Sequence, residues 1–111
     1  MSKSGHGTSV FLRLETSPYL KGPFKWFLDG VGPFTIGRDL SNDVVVLDPY
    51  ASRQHARIFV KDDEWFVEDL GSTNGTYLDE ERLAPHEPRR LERGKEHRLR
   101  IGFTQLVVKV S

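Results

Sequence analysis

The chain has 111 residues, 37% apolar and 29% charged, with 16 acidic and 16 basic side chains and no cysteine. That suits one folded domain with one core. It argues against a disordered chain and against a protein that coats nucleic acid through bulk charge. It also removes disulfides, thiolate metal sites and a cysteine nucleophile, which is compatible with a reducing compartment.

Residues 1–8 carry no apolar segment of the kind a secretory signal needs. They are expected to form a flexible tail or a cloning scar, with the folded domain over residues 9–111. No apolar run approaches the roughly 20 residues of a membrane helix. Val10, Leu12 and Leu14 then alternate with polar residues in a first strand, and Phe24, Trp26 and Leu28 in a second that ends at Asp29-Gly30. Phe34 and Ile36 begin a third strand, which stops at Gly37. Residues 44–47 (Val-Val-Val-Leu) form a continuous apolar run, as in a strand buried on both faces or lying in a sandwich core. Residues 55–60 and 64–69 read as a hairpin joined by Lys61-Asp62-Asp63, with Trp65 and Val67 on one face and Phe66 on the other. A short strand, Thr76-Tyr77-Leu78, follows Asn74-Gly75. Residues 84–90 hold two prolines and read as a loop. Arg89, Arg90 and Arg93 stand among Glu87, Glu92 and Glu96, as in a solvated loop. Two last alternating strands contain His97, Leu99, Ile101 and then Leu106, Val108, Val110, with Gly102 starting the turn between them. No helical periodicity competes. Around ten short strands separated by turn residues predict an all-β sandwich or barrel.

Three segments carry polar chemistry at strand ends. Gly37-Arg38 places a planar guanidinium where a strand stops; such a fork can hold two oxygens of a phosphate or carboxylate. The glycine is expected to allow a sharp backbone turn. Ser52-Arg53-Gln54-His55 offers a hydroxyl, a second cation and an imidazole. A Ser52–His55 nucleophile pair oriented by Asp69 is a rival reading. The two residues are only three apart in a turn, however, and no nucleophile elbow is visible. A loop-tethering role suits His55 better. In Gly71-Ser72-Thr73-Asn74-Gly75-Thr76, Asn-Gly is a strong hairpin signal. The preceding hydroxyls and the carboxamide go beyond what a hairpin needs, and a carboxamide can both donate to and accept from an extended peptide. The four histidines lack metal-ligand spacing.

In order and spacing, Gly37-Arg38, Ser52-Arg53-Gln54-His55 and Thr73-Asn74-Gly75-Thr76 resemble the signature of the forkhead-associated (FHA) domain family. Phe34-Thr35-Ile36 with Asn42-Asp43-Val44, and Leu91-Glu92-Arg93-Gly94 with Leu99-Arg100-Ile101-Gly102, resemble its flanking segments. The resemblance covers nearly the whole chain. It implies an FHA-like β-sandwich of about eleven strands with recognition loops at one end. It also implies a phosphothreonine-peptide binding module for phosphorylation-dependent interactions in signalling, with no catalysis and no cofactor or metal. Arg38 and Ser52 would contact the phosphate, Arg53 would add a contact and Thr73 would line the site. Asn74 would hold the peptide backbone. Gly37, His55 and Gly75 would support the loops, and Tyr50 is a candidate for reading residues beside the phosphothreonine. The implied partner is a threonine-phosphorylated protein or peptide, not nucleic acid and not a membrane. The isolated domain is expected to be monomeric and its location cytoplasmic, with the nucleus left open. One departure is that Asp79-Glu80-Glu81 stands where the family often has a second Asn-Gly-like turn. Another is that residues 84–90 form a long, proline-bearing loop.

Overall fold

The computed structural model describes residues 8–111; the expected tail, Thr8 apart, lies outside them. Eleven strands follow in chain order: β1 (Ser9–Thr16), β2 (Lys25–Asp29), β3 (Phe34–Gly37), β4 (Val44–Val45), β5 (Ala56–Lys61), β6 (Glu64–Asp69), β7 (Thr76–Leu78), β8 (Glu81–Arg82), β9 (Arg89–Leu91), β10 (Glu96–Ile101) and β11 (Thr104–Val110). They form a sandwich of a six-stranded sheet, β2-β1-β11-β10-β7-β8, and a five-stranded sheet, β4-β3-β5-β6-β9. Pairing is antiparallel except between β3 and β4.

The predicted alternation builds the core. Val10 and Leu12 of β1 face Leu106, Val108 and Val110 of β11, and Leu99 and Ile101 of β10, all at most 1% exposed. Ile58 of β5 and Trp65 and Val67 of β6 close it from the other sheet. Phe66 lies on the outer face, stacked on Phe59. The Trp65 indole is fully buried and donates to the Ser111 carbonyl at 2.9 Å, as a buried indole N–H requires. Trp65 is thus a core residue, and Trp26 is half-buried against the core; neither is the exposed stacking platform of a nucleic-acid barrel.

Three sequence expectations change. Residues 44–47 are not a strand covered on both faces. β4 is a two-residue edge strand bonded only to β3, so Val44 and Val46 are buried while Leu47 is 58% exposed. The loop expected over residues 84–90 ends at Pro88. Arg89 and Arg90 belong to β9 on the edge of β6, where they pair with Glu81 (2.9 Å) and Glu64 (2.8 Å). Asn74-Gly75 is not a hairpin tip, because β6 and β7 lie in different sheets and the segment crosses between them. The hairpin turn comes next: Asp79 and Glu80, at φ 49° and 73°, connect β7 to β8 in the left-handed geometry that two-residue hairpins favour. The departure from the family's usual Asn-Gly therefore alters residue type but not the turn. Asp62 and Asp63 form the same kind of turn between β5 and β6.

Two ends result. β11 starts at Thr104, bonded to Asp48 of the loop after β4, and finishes at Val110 opposite Val10. There Ser111 N–H donates to the Ser9 carbonyl at 3.1 Å, and the two hydroxyls lie 2.6 Å apart. Chain entry and exit sit together, opposite the loops.

Candidate functional site

The β3–β4 and β4–β5 loops are laced together through backbone. Arg38 N–H donates to the Ser52 carbonyl (2.9 Å), Asp39 N–H to the Arg53 carbonyl (3.3 Å) and Val46 N–H to the Gly37 carbonyl (2.8 Å). This contact explains Gly37. A Cβ there would overlap the Arg53 carbonyl oxygen and come within 2.9 Å of the Asn42 amide nitrogen. Gly37 has no positive φ; close approach, not a sharp turn, demands glycine. Asn42, 7% exposed, donates to the Asp39 and Arg53 carbonyls at 2.8 and 2.7 Å and so clamps both loops.

His55 joins the β4–β5 loop to the β6–β7 loop. Its Nδ1 accepts from Ser52 N–H at 2.9 Å, and its Nε2 donates to the Gly75 carbonyl at 3.0 Å. A backbone amide can only donate and a carbonyl can only accept, so the imidazole is neutral with its proton on Nε2. Burial pushes the imidazole below its ordinary value, against weaker opposing pulls from the Gly75 carbonyl, Asp69 and Asp48. Asp69 builds the β6–β7 loop from below. It accepts from the Ser72 hydroxyl, from Thr76 Oγ1 (2.6 Å), and from Gly71 N–H (3.0 Å) and Ser72 N–H (3.2 Å). Burial alone would raise its carboxyl, but these bonds outweigh burial and hold it below the usual aspartate value. Gly75, at φ 85°, takes the left-handed conformation that lets the chain cross sheets, with the Arg82 guanidinium packed where a Cβ would be.

Asp48, fully buried, is a third anchor. Its carboxylate accepts from Tyr50 N–H (2.8 Å), Phe103 N–H (2.9 Å) and the Thr104 hydroxyl (2.8 Å), tying the β4–β5 loop to the β10–β11 turn. That contact positions Tyr50, whose ring meets Phe103 edge-on at 4.9 Å and lies 6.1 Å from Tyr19. Asn42 was noted from sequence only within a flanking segment, and Asp48 not at all, since Asp48 and Thr104 are far apart in the chain.

On this frame the predicted residues converge. Arg38 and Arg53 are exposed and line a groove of about 660 Å³ with Asp39, Leu40, Leu47 and Pro49. Arg38 Nε donates to the Ala51 carbonyl at 3.0 Å, which fixes the stem and leaves the terminal nitrogens without a hydrogen-bond partner among the described residues. Ser52 Oγ accepts from Thr73 N–H at 3.1 Å and keeps its own proton to donate. Asn74 donates from its amide to the Tyr50 carbonyl at 2.8 Å, which leaves a second N–H and the side-chain oxygen. The serine hydroxyl is not bonded to His55, and the Asp69 carboxylate is engaged by its own loop, so no Ser–His–Asp relay forms. Among the described residues, no group of three or more His, Asp or Glu side chains could hold a metal ion, and no helix is long and apolar enough to cross a membrane.

Comparison with known proteins places the chain in a family. The FHA domain family model matches residues 34–102. FhaB of Mycobacterium tuberculosis (strain H37Rv) is 57% identical over 47 residues, covering 42% of this chain and 30% of that one. The oxoglutarate dehydrogenase inhibitor of Corynebacterium glutamicum is 36% identical over 73 residues, covering 66% of this chain and 48% of its own. The matches thus span less than half of each of these relatives. Among solved structures, an FHA domain described for its phosphothreonine-dependent interactions superposes with a TM-score of 0.75 at 26% identity, covering 94% of this chain and 98% of that one. Mycobacterium tuberculosis EmbR, solved with a low-affinity phosphopeptide, gives 0.75 at 25% identity over 94% of this chain and 25% of its own. The chain belongs to the FHA domain family.

Proposed function

We propose that this domain binds phosphothreonine peptides and mediates phosphorylation-dependent protein–protein interaction in signalling, without catalysis. The observation that carries this reading is the convergence of Arg38, Ser52, Arg53, Thr73 and Asn74 on one end of the sandwich, on loops already bonded to one another. A phosphothreonine brings about −1.5 to −2 charges and three acceptor oxygens. The guanidinium groups of Arg38 and Arg53 and the Ser52 hydroxyl supply matching donors, each charge-assisted bond contributing about 1.5–3 kcal/mol. Thr73 lines this cradle. Asn74 holds the main chain of the ligand with the donor and acceptor left over from its bond to Tyr50, so the preferred ligand is a peptide rather than free phosphate. The threonine methyl adds about 0.8 kcal/mol if fully buried. The reading carries a threonine-phosphorylated protein as partner, a cytoplasmic location and a monomeric domain.

Titration calorimetry with a phosphothreonine peptide and its unphosphorylated control tests it. Arg38→Ala is expected to reduce affinity at least about 100-fold, the order set by losing charge-assisted bonds of about 3 kcal/mol in total. Its melting temperature should stay near that of the parent. Equal affinity of the parent and Arg38→Ala for the phosphopeptide defeats the assignment.

A further inference from the structure

The groove beside Arg38 and Arg53 does not end at the recognition loops. Leu47 lines it and also lines a second groove of about 350 Å³, which runs along the open side of the sandwich between the edge strands β2 and β4. Tyr19, Phe24, Trp26 and Val45 contribute its apolar walls and Lys21 stands on it. The Tyr19 ring of the second groove also lies 6.1 Å from the Tyr50 ring of the β4–β5 loop. Phe24 stacks on Trp26 at 6.1 Å.

The surface along this path is unusually apolar. Leu40 is 76% exposed, Leu47 58%, Tyr19 44% and Phe24 42%. Scattered exposed hydrophobics are ordinary, whereas a contiguous row that ends at a binding site marks an interaction surface. Its sequence origin is visible. The run of residues 44–47 supplies more apolar side chains than a two-residue edge strand can bury, so Leu47 is left outside. On the opposing edge Phe24, just before β2, is left outside too. Lys21 has no carboxylate partner among the described ion pairs.

We infer that the groove between β2 and β4 is a second docking subsite. It takes an aromatic or large aliphatic residue, with an acidic neighbour opposite Lys21, from the same phosphorylated partner segment that places its phosphothreonine on Arg38 and Ser52. Continuity through Leu47 selects this occupant over an unrelated protein. A tethered second contact adds affinity without a second partner. The inference rests on the phosphothreonine reading above.

The test uses the 111-residue chain and synthetic peptides. One is a short peptide of phosphothreonine in a Gly-Ser context. The others extend it on either side, with one phenylalanine-glutamate pair scanned from about the fourth to the tenth position away, the reach of an extended chain rising ~3.3 Å per residue. At least one extended peptide should bind about tenfold tighter than the short one, the order for one apolar side chain entering a formed groove after linker ordering. Phe24→Ala should return it to the affinity of the short peptide, whose own affinity stays unchanged. Lys21→Glu should lose part of the gain. Circular dichroism melts check that both variants fold.

If no extended peptide exceeds the short one while binding remains sensitive to Arg38→Ala, the second subsite is overturned and the phosphothreonine reading stands. If Phe24→Ala weakens short and extended peptides alike, the subsite is equally overturned. If neither peptide shows binding sensitive to Arg38→Ala, both readings fall. Self-association of the domain that Phe24→Ala abolishes would assign the groove to a second copy and overturn the inference.

Discussion

His55 and His97 are 0% and 4% exposed, and each bridges two segments, but they stand at different places and hold opposite protons. His55 donates from Nε2 to a neutral carbonyl and accepts at Nδ1 from Ser52 N–H, between the β4–β5 and β6–β7 loops. His97 donates from Nδ1 to the Asp79 carboxylate at 2.7 Å and accepts at Nε2 from Glu92 N–H at 3.0 Å. It joins the β7–β8 turn to the segment before β10, away from the loops proposed to hold the phosphate. The same residue type thus performs the same tethering task inside and outside the proposed site. Its partners, not its burial, decide which.

The largest effect expected is at Gly37. Gly37→Ala must push apart the β3 end and the Arg53 carbonyl, so a loss of about 3 kcal/mol or more, with peptide binding abolished, should appear in urea melts and calorimetry. Next, His55→Ala and His97→Ala should each cost about 2–4 kcal/mol, two buried hydrogen bonds plus a cavity. Only His55→Ala should also weaken phosphopeptide binding, by about tenfold or more. Equal effects of both on binding would erase the comparison.

Acid sharpens it further. The His55 imidazole titrates below its unfolded value, so the unfolded chain binds more protons in that range. Its contribution is complete above about pH 6.5, the ordinary imidazole value, and is lost as pH falls through the lowered one. Urea melts of the unliganded domain between pH 8 and 5 should show this decline, and His55→Ala should flatten it. The carboxylates of Asp69 and Asp79 are both held low. For Asp79, burial acts against this while bonds from Arg98 N–H and His97 prevail. Their contributions persist above about pH 4, the ordinary aspartate value, and are lost only below it. Peptide affinity should also fall near pH 6 as the phosphate gains a proton, and melts without peptide separate the two causes.

The smallest effect belongs to the far turn. Glu80 has φ 73°, a conformation that costs a side-chain-bearing residue about 1–2 kcal/mol. Glycine there loses about 0.5–1 kcal/mol through its freer unfolded state. Glu80→Gly should therefore stabilise the domain by about 0.5–1 kcal/mol in thermal melts, with binding unchanged.

The strands with apolar alternation, such as β1, β5, β6, β10 and β11, were legible because one face of each is buried. β8 and β9 were not. Glu81-Arg82 and Arg89-Arg90 pair through backbone at sheet edges, with charges outward, and present no hydrophobic period. The residues of the proposed site stood out as local motifs, and so did the tethering role of His55. Asp48 was illegible because its partners, Phe103 and Thr104, are 55 and 56 residues away and are backbone or hydroxyl donors of no distinctive type. The need for Gly37 was visible, but its cause was not: the carbonyl that excludes a side chain belongs to Arg53, in another loop.

The pairing of Ser9 with Ser111 bears on how such a domain can be carried. Because both strands leave the fold side by side on the face away from the loops, a host polypeptide could accept this fold as an insertion at a single surface turn, with its own path interrupted by only a few ångströms. The recognition end would then project outward whatever the host. A chimera with the domain spliced into a hairpin of an unrelated carrier should keep the peptide affinity of the free domain.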